Sequence, residues 1–339
     1  QRWKRTSDGV KTKKTGGKYV DFPVIVGRNQ GISFRQEMET LGNPGRTRIK
    51  EVNVPVYFGY VRLRLSGPLF ELADEDAESF ADAIDQEMEG VKESAQKDEG
   101  RIYYGDGTGR LATISVTANS ATQSVDSAYW LEIDQEVDVV NASGTAIGTG
   151  LTVTAVDDTV TPNTVTLSGS VNATANTHFI VRAGDFTGGV QREPTGLARI
   201  TDNSVNLHGL NDPVWKAIIA PLNGNISENY MTTVADRMRV KGTKPTAIFT
   251  SLGVRRAYAN LLVQQRRFND TVDFAGGFKG LAFNYGSKEI PVMEDPDAPE
   301  GRMYMIHEPD MRIYQAKEWS FEDKTGSMFV QVSNTDAFD

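Results

Sequence analysis

Apolar and polar positions alternate most regularly in the first seventy residues. Val24, Ile25 and Val26 lead into a polar stretch from Glu39 to Gly45 that continues through Arg46, Arg48 and Lys50. Val52, Val54, Val56, Phe58, Val61, Leu63 and Leu65 then recur with a period near two, slipping once at Gly59. The pattern predicts a long two-stranded hairpin with its tip around residues 39–50. Two strands alone are marginal in water, so the apolar side of such a hairpin calls for neighbours that another subunit would supply.

The period then changes. Ala73, Ala77, Phe80, Ile84, Met88, Val91 and Ala95 follow at steps of three and four, the single apolar stripe of a long helix that stops near Gly100. Glu71, Asp74, Glu75 and Asp76 suit its positive N-terminal end. Next comes Tyr103-Tyr104-Gly105-Asp106-Gly107-Thr108-Gly109-Arg110. It has neither glycine spacing of a phosphate loop and carries an acid at its centre, so it reads as a tight turn with glycines at positive φ.

Residues 111 to about 190 are rich in Thr, Val, Ala, Ser and Asn, and from Thr113 to Arg182 the only basic residue is Arg182 itself. Short alternating runs at Glu136 to Val140, Leu151 to Val156, Thr164 to Leu167 and Phe179 to Val181 are parted by turn signals at Asn141 to Gly144, Asp157-Asp158 and Pro162-Asn163. This predicts a small all-β module. Glu132, Asp134, Glu136 and Asp138, at a period of two, read as a solvated strand face rather than a calcium site, because no glycine-containing metal loop accompanies them. Beyond residue 196 the pattern is mixed. Helices are expected after Asp212-Pro213, over Ser227 to Met238 and over Ser251 to Arg267, with a buried strand at Thr246 to Thr250. Four further strands are expected at Ile290 to Met293, Met303 to Ile306, Met311 to Tyr314 and Met328 to Val332. The fold class is α+β.

Charge changes the picture. The net charge of -9 is the sum of unlike blocks: residues 1–64 hold 14 basic and 5 acidic groups, residues 65–99 hold 2 and 12, and residues 100–339 hold 20 and 28. The basic block opens with an aperiodic segment containing Lys11, Lys13, Lys14 and Lys18, either a solvated tail or an arm lying on an acidic surface or nucleic-acid phosphates. The acidic block is the long helix. Its i,i+4 like-charge pairs Glu71/Glu75, Asp74/Glu78, Glu78/Asp82, Asp85/Glu89 and Glu89/Glu93 face one favourable pair, Glu93/Lys97. At roughly 0.2 to 0.5 kcal/mol each, such pairs cost an isolated helix on the order of 1 to 2.5 kcal/mol, which a basic partner would remove and salt would soften.

Composition excludes several chemistries. With 339 residues, two or three domains fit at about 150 residues each. With no cysteine, disulfides, zinc-thiolate sites, iron-sulfur clusters and cysteine nucleophiles are ruled out together, as suits a reducing cytoplasm. No stretch reads as a membrane helix or a secretory signal, and the chain begins at Gln1 rather than a Met, so upstream residues are expected to have been removed or left out. His178, His208 and His307 fit no metal spacing, no nucleophile elbow occurs, and the helix carboxylates form a stripe rather than a differentiated pair. No cofactor and no enzyme are expected.

The serial order of arm, hairpin, acidic helix, glycine turn, α/β core and terminal strands resembles the major capsid proteins of tailed double-stranded DNA phages, those with the Hong Kong 97 phage fold. Tyr104-Gly-Asp-Gly-Thr-Gly109, Pro194-Thr-Gly-Leu-Ala198, Ile290-Pro-Val-Met-Glu-Asp-Pro-Asp-Ala-Pro299 and Met303-Tyr-Met-Ile306 carry the resemblance, which spans most of the chain except residues about 112–192. It implies an N-terminal arm (1–22), an extended E-loop hairpin (23–66), a peripheral domain with its spine helix (67–111 and 288–339), an inserted β domain (112–192) displayed outside, and an axial domain (193–287).

The implied role is a head protein that assembles as hexamers and pentamers into an icosahedral shell around double-stranded DNA, held without sequence-specific contacts. It would be made in the bacterial host cytoplasm and reside in the virion. Scaffolding, portal, protease and cement or decoration proteins are the further partners of such a shell, and the upstream residues would then be either a lost scaffolding segment or a terminus simply left out. The resemblance sets Arg46, Arg48, Lys50, Arg62 and Arg64 of one subunit, with arm residues Lys11, Lys13, Lys14 and Lys18, against Glu71, Asp74, Glu75, Glu78, Asp82, Asp85 and Glu89 of neighbours. Some members of the family weld subunits through a Lys to Asn bond; Lys50 and Asn334 are conceivable partners, though no sequence pattern pairs them. An encapsulin-like shell around protein cargo and a β-rich phage surface or tail binding protein are the rival readings.

Overall fold

The computed structural model describes residues 4–6, 19–61, 65–66, 77–204, 206–222, 224–266, 281–314, 319 and 337–338. Strand β1 (Lys4–Thr6) begins it, so the basic arm is not wholly without structure. The hairpin follows as β2 (Tyr19–Gly27) and β3 (Arg48–Pro55), antiparallel in register from Tyr19 opposite Pro55 to Gly27 opposite Arg48. The second strand is shorter than its alternation predicts: the ladder ends at Pro55, which has no amide to donate, and residues 56–61 are irregular. Beyond β4 (Leu65–Ser66), helix α1 (Ala77–Tyr104) runs for 28 residues and ends four residues past the expected stop.

The β module is a closed barrel. Strands β5 (Arg110–Thr113), β6 (Ala118–Val125), β7 (Glu136–Asn141), β8 (Ala146–Asp157), β9 (Asn163–Ala173) and β10 (His178–Arg182) form one antiparallel sheet in the order β5-β10-β7-β8-β9-β6. Ile114 and Val125 bridge its two outer strands and close the cylinder. Inward positions at alternating sites, among them Val137, Val139, Val153, Val165, Leu167 and Ile180, are sealed from solvent in one core. Of the acidic run, Glu132, Asp134 and Glu136 are exposed as the period of two predicts, and Asp138 alone departs from it. The β7 ladder shifts register between Val137 and Val139, and Asp138 is buried, accepting bonds from the amides of Gly150 (2.8 Å) and Gly184 (2.9 Å).

Short strands β11 (Phe186–Thr187) and β12 (Val190–Gln191) lead from the barrel to α2 (Leu197–Ile200), α3 (Glu228–Val240), β13 (Ala247–Thr250), α4 (Leu252–Arg266), β14 (Leu281–Tyr285), β15 (Lys288–Glu294), β16 (Met303–Ile306), β17 (Arg312–Tyr314) and β18 (Ala337–Phe338). A four-stranded sheet, β14-β15-β13-β16, is the centre of this half, with β13 parallel to β15 and the other pairs antiparallel. Every residue of β13 is buried, and the period of two divides them between two layers. Ala247 and Phe249 pack with Tyr104 of α1 and Leu197 of α2, while Ile248 packs with Met231 and Ala235 of α3 and Tyr258 of α4. Burial, with Glu228 adding to it, pushes the Tyr258 phenol up to about 12, and its hydroxyl donates to the Ala282 carbonyl at 3.0 Å.

Two expectations need correction or extension here. Asp212-Pro213 starts a single turn, with the amides of Trp215 and Lys216 donating to the Asp212 carbonyl, and no helix follows before the chain reaches Pro221, which cannot continue one. Strand β14 is additional to the expected elements and pairs with β15 across a turn in which Gly286 has φ +63°. The strand expected at Met328 to Val332 lies outside the described residues.

Candidate assembly surfaces

The glycine turn and the Pro194 to Ala198 segment meet at the end of α1. Gly107 (φ +84°) and Gly109 (φ +71°) take the backbone that side chains avoid, while Asp106 accepts from the Thr108 amide at 3.0 Å and pairs with Arg110 at 3.1 Å. Gly196 lies so close to the carbonyl oxygens of Ile102 and Gly105 that a methyl group there would collide with both. The turn thus positions the helix against the sheet, and its chemistry is structural.

At the base of the hairpin one face is already covered within the chain. Val26 and Val52 are buried with Leu210, flanked by Phe22, Val24, Val54 and Trp215, and Phe22 stacks on Tyr314 with ring centres 5.9 Å apart. A neighbouring subunit is therefore not needed for that part. Farther out, Ile32, Phe34, Met38 and Leu41 stand 82 to 100% exposed in the loop between β2 and β3, and Phe58 and Tyr60 are exposed beyond β3. Apolar groups of this size concentrated on one extension mark a surface that meets something.

The basic residues assigned to this hairpin divide. Arg46 and Arg48 are exposed, whereas Lys50 Nζ lies 2.8 Å from Asp212 and so has a counter-charge within its own chain. Arg62 and Arg64, with Lys11, Lys13, Lys14 and Lys18 of the arm, lie outside the described residues, as do Glu71, Asp74, Glu75 and Asn334. Glu78 and Asp82 fall within α1, but their side chains are outside the described set. Asp85 and Glu89 are exposed on the helix, and Met88, Val91 and Ala95 of its apolar stripe are half-buried. Among the described residues, no ion pair joins Arg46, Arg48 or Lys50 to Asp85 or Glu89 within one chain.

The favourable Glu93/Lys97 pair is not formed. Lys97 instead binds Glu132 of the barrel at 2.8 Å, a bond that holds its ammonium above the ordinary range, and it sits 5.9 Å from the Tyr129 ring centre. It belongs to a clamp that composition did not announce. Arg182 donates to both oxygens of Asp98 at 2.8 Å, and Arg101 pairs with Glu193 while lying 3.6 Å from Asp98. Burial pulls the Arg101 guanidinium down, but the bond and charge of Glu193 more than offset this and leave it raised. Burial also raises the Asp185 carboxyl, assisted by Glu193. The one sequence signal was Arg182, the lone cation in a segment otherwise without basic residues.

Of the histidines, His178 accepts from the Thr174 amide four residues before it at 2.9 Å, and His307 lies 2.7 Å from the Lys244 carbonyl, 63 residues away in sequence. Among the described residues no group of three or more His, Asp or Glu is arranged to hold a metal, and no helix is long and apolar enough to cross a membrane.

No protein-family model matches the sequence, and no curated protein matches it. Among solved structures, a chain of the cyanophage A-1(L) capsid asymmetric unit is similar, with a TM-score of 0.50 over 92% of this chain and 72% of that one, at 15% sequence identity. The likeness is one of fold: an α+β, predominantly sheet architecture shared with a phage capsid chain.

Proposed function

We propose that this chain is a phage capsid subunit, a structural protein rather than an enzyme, that self-associates into a closed shell. The observation that carries the reading is the coincidence of a capsid-chain fold with an apolar, basic-flanked extension whose outer residues lack cover in their own chain. In the finer form of the proposal the shell is icosahedral, built of hexamers and pentamers with the Hong Kong 97 architecture, and encloses double-stranded DNA in the virion. The barrel is then an insertion carried on the outside and fixed to the spine helix by the Lys97, Asp98 and Arg101 clamp.

Assembly would lay Arg46, Arg48 and the exposed apolar loop across the acidic helix of a neighbour, near Asp85 and Glu89. This supplies counter-charge to the helix and cover to Phe34 and Met38 in one contact. Lys50 drops out of that contact, because Asp212 already holds it. The test is reversal of Arg46 and Arg48 to Glu, followed by particle yield. Loss of particles supports the contact, and unchanged yield contradicts its electrostatic part. Nuclease-protected DNA inside purified particles would separate a genome shell from an encapsulin-like one.

A further inference from the structure

Residues 213–222 form no helix or strand and are laid along α3 by two tethers. Lys241, just past the helix, donates from Nζ to the carbonyls of Pro213 (3.0 Å) and Lys216 (2.7 Å), and the Tyr230 hydroxyl near its start donates to the Pro221 carbonyl at 2.8 Å. The surface that results is both apolar and basic. Val214, Ile219 and Val240 stand 61, 50 and 89% exposed on it. Residues 213–222 and 228–244 together hold 5 basic groups, among them Lys216, Arg237 and Lys244, against 2 acids, Glu228 at the start of α3 and Asp236, which accepts from the Tyr285 hydroxyl at 2.6 Å. Aliphatic side chains left in water beside cations fit a protein partner, because phosphates would engage the cations and leave the valines uncovered.

The complement to such a surface is carried by the same chain. Residues 126–163 of the barrel hold 7 acidic and no basic groups. Two loops meet at one edge of this region: Asn163, oriented with its amide nitrogen on the Val160 carbonyl (3.0 Å) and its oxygen on the Ala128 amide (3.3 Å), joins the β8–β9 loop to the segment between β6 and β7. Along that edge Ile133 and Val160 are 62 and 41% exposed, among the exposed acids Asp134, Glu136, Asp157 and Asp158.

The two surfaces belong to opposite layers of the fold. Helix α1, which holds the barrel through Lys97 and Asp98, packs by Tyr104 with Ala247 and Phe249 on one side of β13, while α3 packs on Ile248 from the other. Among the described residues no ion pair joins the two surfaces within one chain. We propose that they meet between copies, the barrel edge of one subunit docking on the α3 surface of the next. Ile133 and Val160 then cover Val214 and Val240, and the acids beside them face Lys216, Arg237 and Lys244. Unlike surfaces make a heterologous contact, which repeats in one direction and closes into a ring where the rotation allows. This contact rests on the self-association proposed above, but it uses neither the hairpin loop nor Asp85 and Glu89.

Carbodiimide coupling, which joins an ammonium to a touching carboxylate without a spacer, tests the contact in the full chain, with unlabelled and heavy-nitrogen-labelled protein mixed in equal amounts before assembly. Mass spectrometry is expected to find mixed-isotope peptide pairs that join Lys216 or Lys244 to Asp134, Glu136, Asp157 or Asp158. Val214→Asp with Val240→Asp is expected to lower these pairs several-fold, and Ile133→Lys with Val160→Lys in the same chain to recover part of them, with circular dichroism confirming that both variants fold. Absence of mixed pairs, or pairs unchanged in Val214→Asp with Val240→Asp, overturns the proposal. If that variant instead binds double-stranded DNA less tightly while its coupling is unchanged, the surface is a phosphate contact and the proposal falls. Closed shells without mixed pairs leave the capsid role standing and remove this contact, whereas mixed pairs in open rings keep the contact and remove the shell.

Discussion

Arg101, in the last turn of α1, and Glu193, on the segment leaving the barrel, form an ion pair whose side chains are only 5% and 10% exposed, with Nη1 3.1 Å from Oε2. They are 92 residues apart in sequence, and the pair ties the exit of the barrel to the helix that precedes its entry. Replacing Arg101 with Met leaves Glu193 buried without a counter-charge, which typically costs about 3–5 kcal/mol. Chemical denaturation is expected to show that loss, and Arg101→Met combined with Glu193→Met is expected to recover most of it. A single variant as stable as the parent would show that the pair does not hold the two parts together.

Gly196 permits the close approach of two backbone segments at the end of α1. Gly196→Ala pushes a methyl group onto the carbonyls of Ile102 and Gly105, an overpacking of about 1–3 kcal/mol. Thermal melts are expected to show the variant lowered, while Gly90→Ala, where nothing lies within 4 Å, should hold or raise the melting temperature.

The pH dependence of stability follows from His208, whose imidazole is depressed in the folded chain by burial and Arg199. The unfolded state therefore binds the proton more readily, so this contribution is complete above the ordinary histidine value of 6.5 and is lost as pH falls toward the folded value. Asparagine tolerates the left-handed backbone, and His208→Asn is expected to flatten the decline in melting temperature on the acid side of 6.5. Asp185 and Asp297 act in the opposite sense. Burial raises both carboxyls, so their contributions fall as pH rises from the ordinary value of 3.8 through the folded values.

Much of the architecture was legible because it rests on local period. The β module's four alternating runs lie in β7 to β10, the stripe through Met88, Val91 and Ala95 lies in α1, and the buried strand at residues 246–250 is β13. What failed required knowledge of distant partners. Asp138 matches a solvated alternation until two glycine amides, Gly150 of β8 and Gly184 of the turn after β10, turn out to face it, and Lys97 and Lys50 find carboxylates 35 and 162 residues away instead of on the nearest acidic surface. Of the assembly residues, Arg46, Arg48, Asp85 and Glu89 are exposed.

Phe34 and Met38, 97% and 100% exposed, contribute almost no burial within their own chain. Phe34→Ser with Met38→Ser is expected to leave the stability of the dispersed protein within about 0.5 kcal/mol of the parent while reducing shell yield. A fall in both would mean that the loop packs inside the subunit.

Electron microscopy of the purified full chain under assembly conditions, with sedimentation of the same sample, tests the proposed role most directly. Closed shells of uniform diameter are the result expected of a capsid subunit. Monomers or small open oligomers at the same concentration would contradict it.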